Sequence, residues 1–424
     1  MTDMYDALPY VSPVWSRYTS IVASRAEGCY VYDQDGTPYL DFTCGIGVTN
    51  TGHCHPRVVE AIREQAGKMI HAQINIIYHE PLLKLINELR TIVHPSLDAF
   101  FFSNSGAEAI EGAVKLARHA TGRTNVIVFQ GSFHGRTVGT MSLTTSKTVY
   151  RVGYQPLMPG VFVAPYPYAF RYGWDAEQTS QWCLQELDFL LTTQTAPQET
   201  AAMLIEPVLG EGGYVVPPAS FLRGVREICD QHGILLITDE IQSGLGRTGR
   251  WFACEHFDLR PDIVTVAKGL GSGLPISGVF SRMELMKKWE PGTHGGTFGG
   301  NIVSAAAGVA TIQAIREENM LENARLRGGQ LVSGLRHLQE QFPVIGDVRG
   351  LGLMVGVEFR DAQGRPDKPT AKEVIHACLD HKLMLLTCGP WDNTIRFIPP
   401  LVVSQEQVKD GLEIFSAALQ ETSR

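Results

Sequence analysis

The sequence predicts an α/β fold, with a large domain on a mainly parallel central sheet and a smaller α+β domain after it. Three observations carry this. Between residues 100 and 266, short apolar runs alternate with helical stretches, and each run ends in a polar or glycine-rich cluster. That is the pattern of strands buried on both faces by crossover helices. Beyond residue 305 a helical stretch leads into short strands broken by glycines. The length of 424 residues and the hydrophobic share of 44% suit a large core with additions. The expected division is an N-terminal segment (1–55) packing with the small domain, a large domain (56–305) and a small C-terminal domain (306–424).

Taken in order, residues 1–20 look irregular. Cys29–Phe42 alternates around Asp35-Gly36, a hairpin signal. Helical periodicity predicts helices over 56–68 and 81–93, the second behind Pro81. The apolar runs Phe100–Phe102, Val126–Phe129, Met203–Ile205, Ile234–Thr238 and Ile263–Val266 read as strands, with a helix over Ala107–Ala120. Ala305–Glu340 reads as one long helix and Gly346–Glu358 as a loop and a strand. Thr370–Leu379 reads as a helix, Ile395–Ile398 as a strand, and the C-terminus as helical.

Composition argues against several partners. Net charge is −8 and no basic run stands out, which disfavours nucleic acid. Eight scattered cysteines form no CxxC pair, so neither a disulfide framework nor a zinc site is expected. His53-Cys54-His55 is a single short cluster and is read as no metal site. The first residues lack the apolar core of a signal peptide, and no apolar run reaches membrane-spanning length. A cytoplasmic protein without membrane contact is the expectation.

Ligands of such folds sit beyond the carboxyl ends of the strands, and three clusters fall there. Ser103–Ala109 joins a strand to a helix through small residues. It is either a plain capped turn or a phosphate cradle. Ile234–Gln242 delivers Asp239 and Glu240 at a strand end. An ATPase carboxylate would need a GxxxxGK[ST] loop, and the sequence has none. A buried aspartate there suits a cationic ring nitrogen. Lys268 ends an apolar strand, where burying a charge is costly unless the amine is paired or condensed with an aldehyde.

These clusters, in this order and spacing, resemble the class III (ω-amino acid) aminotransferases, which are fold-type I enzymes dependent on pyridoxal phosphate. Asp239-Glu240-Ile241-Gln242 followed by Lys268-Gly269 is similar to that family's lysine-attachment signature. Phe133-His134-Gly135-Arg136-Thr137, Glu206-Pro207 with Gly210-Glu211-Gly212-Gly213, Gly246-Arg247-Thr248-Gly249 and Gly296-Thr297 extend the likeness over nearly the whole chain. The 4-aminobutyrate branch is the nearest in pattern.

The resemblance implies roles. Lys268 would hold the cofactor as a Schiff base and move the proton, and Asp239 would pair with the ring nitrogen. Gln242, Phe133 and His134 would line the ring. Ser105, Gly106 and Ala107 would hold the phosphate, with Thr297 reaching it from a neighbouring subunit, so a homodimer with shared sites is implied, or a tetramer built from it. Arg396 would bind the α-carboxylate of a 2-oxo acid, with Glu211 covering it when an ω-amino donor is bound. Arg136 would take the distal carboxylate, with Ile46 and Glu206 also in the substrate pocket. The implied reaction is ping-pong transfer from an ω-amino acid such as 4-aminobutyrate to 2-oxoglutarate. A racemase or epimerase of the same family, and an acetylornithine/ornithine-type aminotransferase, are the alternatives. Trp391-Asp392 departs from the family pattern close to Arg396.

Overall fold

The computed structural model describes residues 4–422. Three sheets organise it. The first holds β1 (Ala23–Glu27), β2 (Tyr30–Asp33) and β3 (Pro38–Asp41). The central sheet has seven strands: β4 (Ala99–Ser103), β5 (Asn125–Phe129), β6 (Val161–Ala164), β7 (Thr200–Ile205), β8 (Leu235–Asp239), β9 (Ile263–Val266) and β10 (Ser277–Ser281). The third holds β11 (Ile345–Leu351), β12 (Met354–Phe359), β14 (Leu386–Cys388) and β15 (Thr394–Phe397), while β13 (Leu383–Met384) joins the first sheet.

The central order is β4-β10-β9-β8-β7-β5-β6. Only β10 runs against its neighbours, and it pairs antiparallel with both β4 and β9. The five adjacent strands β9, β8, β7, β5 and β6 are mutually parallel. The side chains of β5, β7, β8 and β9 are almost all buried, which is why these four read as unbroken apolar runs rather than alternation, whereas β6 is half-exposed. Leu82, Leu85 and Leu89 of the helix Glu80–Arg90, together with Phe221, Leu222 and Val225 of the helix Ala219–His232, pack into one core with the central strands.

The hairpin around Asp35-Gly36 forms as β2 and β3. β3 then pairs in parallel with β13, which ties the N-terminal segment to the C-terminal part of the chain. Two expectations need correction. The long helix is two helices, Ile302–Glu317 and Met320–Gln341, because Asn319 turns left-handed at φ 52° between them. Gly346–Glu358 is not a loop and a strand but two strands, β11 and β12, turned back at Gly352. A Cβ on Gly352 would lie 2.4 Å from the Thr248 carbonyl carbon, so the turn needs glycine for space as well as for its positive φ. β6 and β10 are short and carried no separate sequence signal. Among the described residues, no helix is long and apolar enough to cross a membrane.

Candidate active site

Parallel pairing brings the chemistry together. Ile205 pairs with Thr238 and Asp239 with Thr265. Glu206, Asp239 and Lys268 therefore emerge at the carboxyl ends of three neighbouring strands, separated in sequence but adjacent in space. One cavity is lined by these three with Ser105, Gly106, Ala107, Phe133, His134, Glu211 and Gln242.

Lys268 sits at φ 33°, left-handed for a non-glycine residue, a conformation costing on the order of 1–3 kcal/mol. Gly269 makes the turn feasible, since a Cβ there would lie 2.3 Å from Asn50 Nδ2. Burial lowers the Lys268 pKa below the ordinary lysine value, against the opposing fields of Glu211 and Asp239. Asp239 is 4% exposed. Its Oδ2 lies 2.8 Å from His134 Nδ1, and its Oδ1 accepts from the Ile241 N–H at 3.0 Å. Glu206 accepts from the N–H groups of Phe133 and Gly210, both at 2.7 Å, and burial pushes it up to about 7.

The helix Gly106–Thr121 begins at this cavity. Ser105 caps it: its hydroxyl accepts from the Glu108 N–H, and the Glu108 carboxylate accepts from the Ser105 N–H at 2.8 Å. Gly106 and Ala107 keep first-turn N–H groups without intrahelical acceptors. A Cβ on Gly106 would lie 2.9 Å from Ile241 Cδ1, so a larger residue would require that side chain to move.

A second, larger cavity continues from Lys268 and Phe133 to Arg136, Ile46, Glu211 and Arg396. Arg396, on β15, is 3% exposed and paired with Glu211 at 2.5 Å. Burial disfavours its charge, but Glu211 holds its pKa above the usual arginine range. Arg136 is exposed, and its guanidinium stands 4.8 Å from the Tyr150 ring centroid. Ile46 is reached through an unusual backbone: Cys44, Gly45, Ile46 and Gly47 all have positive φ, a full left-handed turn. Buried Arg247 secures that turn. It donates to Cys44 Sγ at 3.4 Å, Asn50 Oδ1 at 2.9 Å and the Pro399 carbonyl.

Not every expected residue converges. Thr297 is exposed and lines neither cavity of its own chain. Trp391 lines neither as well, and Arg171 stands 5.6 Å from its ring centroid. Asp392, Lys147 and Tyr150 do line the second cavity. Lys147 and Tyr150 carried no sequence signal, because their loop has no periodicity and no motif. His53 bonds Asp41 at 2.8 Å, and Tyr172, Trp174 and Trp182 pack on one another.

A half-buried lysine at one strand end, beside a buried carboxylate on the next and a free helix N-terminus, defines an enzyme that anchors an anionic aldehyde cofactor. Pyridoxal phosphate fits on this structure's own terms. His134 Nε2 and Gln242 Oε1 are buried without partners in the cavity wall, and the N–H groups of Gly106 and Ala107 suit a phosphate.

The class-III aminotransferase family model matches residues 11–419. The chain is 40% identical to a 5-aminovalerate aminotransferase of Pseudomonas aeruginosa, covering 95% of this chain and 94% of that one. It is 40% identical to a 4-aminobutyrate aminotransferase of Escherichia coli, with the same coverage. Among solved structures, an amine transaminase from an uncultivated Pseudomonas species in its pyridoxal-phosphate-bound form superposes with a TM-score of 0.91. That structure is 28% identical, over 97% of this chain and 98% of that chain. The chain belongs to the class-III aminotransferases, and it is a pyridoxal-phosphate-dependent enzyme that takes an amino donor and a 2-oxo acid acceptor.

Proposed function

We propose that the donor is an ω-amino acid of the 4-aminobutyrate or 5-aminovalerate type, that the acceptor is 2-oxoglutarate, and that the two alternate in a ping-pong cycle. The observation that carries this is the closed Arg396–Glu211 pair in the substrate cavity. An enzyme handling one substrate class has no use for a masked arginine; one that alternates between an apolar amine end and an α-carboxylate does. The names of the relatives agree in kind. The same pair speaks against a racemase, which keeps one substrate throughout.

Pyridoxal phosphate, when bound, supplies the aldehyde and the electron-withdrawing ring that carry the amino group between substrates. The remaining work falls to the chain. Lys268, its pKa lowered by burial, would hold the cofactor through its side-chain amine and would move a proton at the amino-bearing carbon of the substrate. Asp239, oriented by His134 and the Ile241 N–H, would pair with the ring nitrogen. Gly106 and Ala107 would hold the phosphate, with Ser105 shaping the turn. Gln242 and Phe133 fix the ring, and Glu206 braces Phe133 and Gly210. Arg136 takes the distal carboxylate beside Ile46.

The assembly in this reading is a homodimer in which Thr297 serves the neighbouring site. Exposed Ile70, Ile76, Tyr78 and Phe298 support it as apolar surface. The chain division at residues 55 and 305 is part of the same reading, and the β3–β13 pairing supports grouping the N-terminal segment with the C-terminal part.

The test is a half-reaction. Holoenzyme mixed with 4-aminobutyrate or 5-aminovalerate alone should lose its visible cofactor band, and 2-oxoglutarate should restore it. Loss of optical rotation from an α-amino acid without any oxo acid would make the chain a racemase instead.

A further inference from the structure

The switch on Arg396 leaves a physical problem. When a substrate carboxylate takes the guanidinium, Glu211 must leave it, and a carboxylate released inside a mostly buried cavity needs another cation. Next to it the cavity holds a second ion pair, Lys147 with Asp392. The side chain of Lys147 is 12% exposed, and that of Asp392 is 27% exposed. Asp392 has a further partner: Lys368 Nζ lies 2.8 Å from its other oxygen and is 46% exposed. Arg396, Glu211, Lys147, Asp392 and Lys368 thus form a row of alternating charge running from the buried end of the cavity to the surface.

Lys147 also feels Glu211. Burial opposes the Lys147 charge, but its hydrogen bond to Asp392 and the fields of Tyr150, Asp392 and Glu211 raise its pKa. Burial likewise opposes the Glu211 charge, while Arg396, Lys147 and Lys268 lower its pKa. Asp392 is backed by two lysines, so it can give up one without being stranded.

We infer that Lys147 is the receiving cation for Glu211. When an α-carboxylate occupies Arg396, the row shifts by one place, with Glu211 passing to Lys147 and Asp392 to Lys368. Lys147, Asp392 and Lys368 are then positioning residues for the exchange of substrates. The inference rests on the two-substrate reading above and adds the device that makes the exchange inexpensive.

The two half-reactions of holoenzyme variants test it, each followed through the cofactor absorbance. In Lys147→Met, Glu211 has nowhere to go. The KM for the oxo acid should rise about tenfold more than the KM for the amine donor, a difference of about 1.4 kcal/mol. Lys368→Met should shift the same ratio in the same direction but less, because water can replace an exposed partner. Asp392→Asn should move it the opposite way, since Lys147 is then free to draw Glu211 off Arg396: the oxo acid KM falls and the donor KM rises. Equal changes in both KM values for Lys147→Met would overturn the relay and make Lys147 a plain substrate contact. So would a shift of the same sign in Asp392→Asn. The unmodified enzyme is run first against a panel of 2-oxo acids. If another acid serves and 2-oxoglutarate does not, the acceptor assignment fails, and the relay is read on the acid that serves.

Discussion

The cofactor half and the substrate half of this site are built in opposite ways. The cofactor half stands on strand ends: Glu206, Asp239 and Lys268 are placed by the register of β7, β8 and β9, and each side chain has little freedom. The substrate half is assembled from a left-handed turn, the segment from Arg136 to Tyr150 with its short helix Val138–Leu143, the loop bearing Glu211 and the far sheet bearing Arg396. The β12–β15–β14 ladder places Arg396, but its charge and those of Glu211, Lys147 and Asp392 are held by ion pairs. A rigid half suits chemistry that is the same in every cycle. On the proposed two-substrate reading, a half held by ion pairs suits substrates that differ in charge.

That contrast can be broken by mutation. The largest effect belongs to the rigid half. Lys268→Ala should lower turnover by about 10³-fold or more and remove the visible cofactor band, read in the same cuvette. Retained turnover would remove the lysine from the mechanism. Asp239→Asn should lower kcat by about 10²-fold, since a neutral amide no longer stabilises a protonated ring nitrogen; cofactor affinity by dialysis and steady-state kinetics would check it. In the exchangeable half, Arg396→Ala should raise the KM for 2-oxoglutarate about 30-fold or more while moving the donor KM far less. A matching rise in both would mean that the arginine holds the site together and does not sort substrates. Trp391→Ala should be the mildest, within about twofold on every constant, because its ring lies against Arg171 outside both cavities.

The rigid half was legible for a physical reason. Strands buried on both faces must be apolar throughout, so Met203–Ile205, Ile234–Thr238 and Ile263–Val266 stand out, and the polar residues after them mark the site. Asn319, which splits the helical stretch after residue 305, was hidden because asparagine is tolerated both in helices and at their ends. Lys147 was hidden because nothing local marks it; its partner Asp392 lies 245 residues away. Ser105 was placed at the right spot, but the capping box shows its N–H and hydroxyl engaged with Glu108, leaving Gly106 and Ala107 as the free donors.

By itself, the sequence determined five of the seven strands of the central sheet, which residues stand at the carboxyl ends of β7, β8 and β9, and the family to which those residues point. It could do so because strand burial and strand-end chemistry are written in contiguous stretches. Only the tertiary structure decided that Arg396 is masked by Glu211, that Asp392 is shared by Lys147 and Lys368, and that Arg247 anchors the turn carrying Ile46. Those contacts join side chains far apart in the chain. Their energy depends on distance and burial in three dimensions, which no local pattern records.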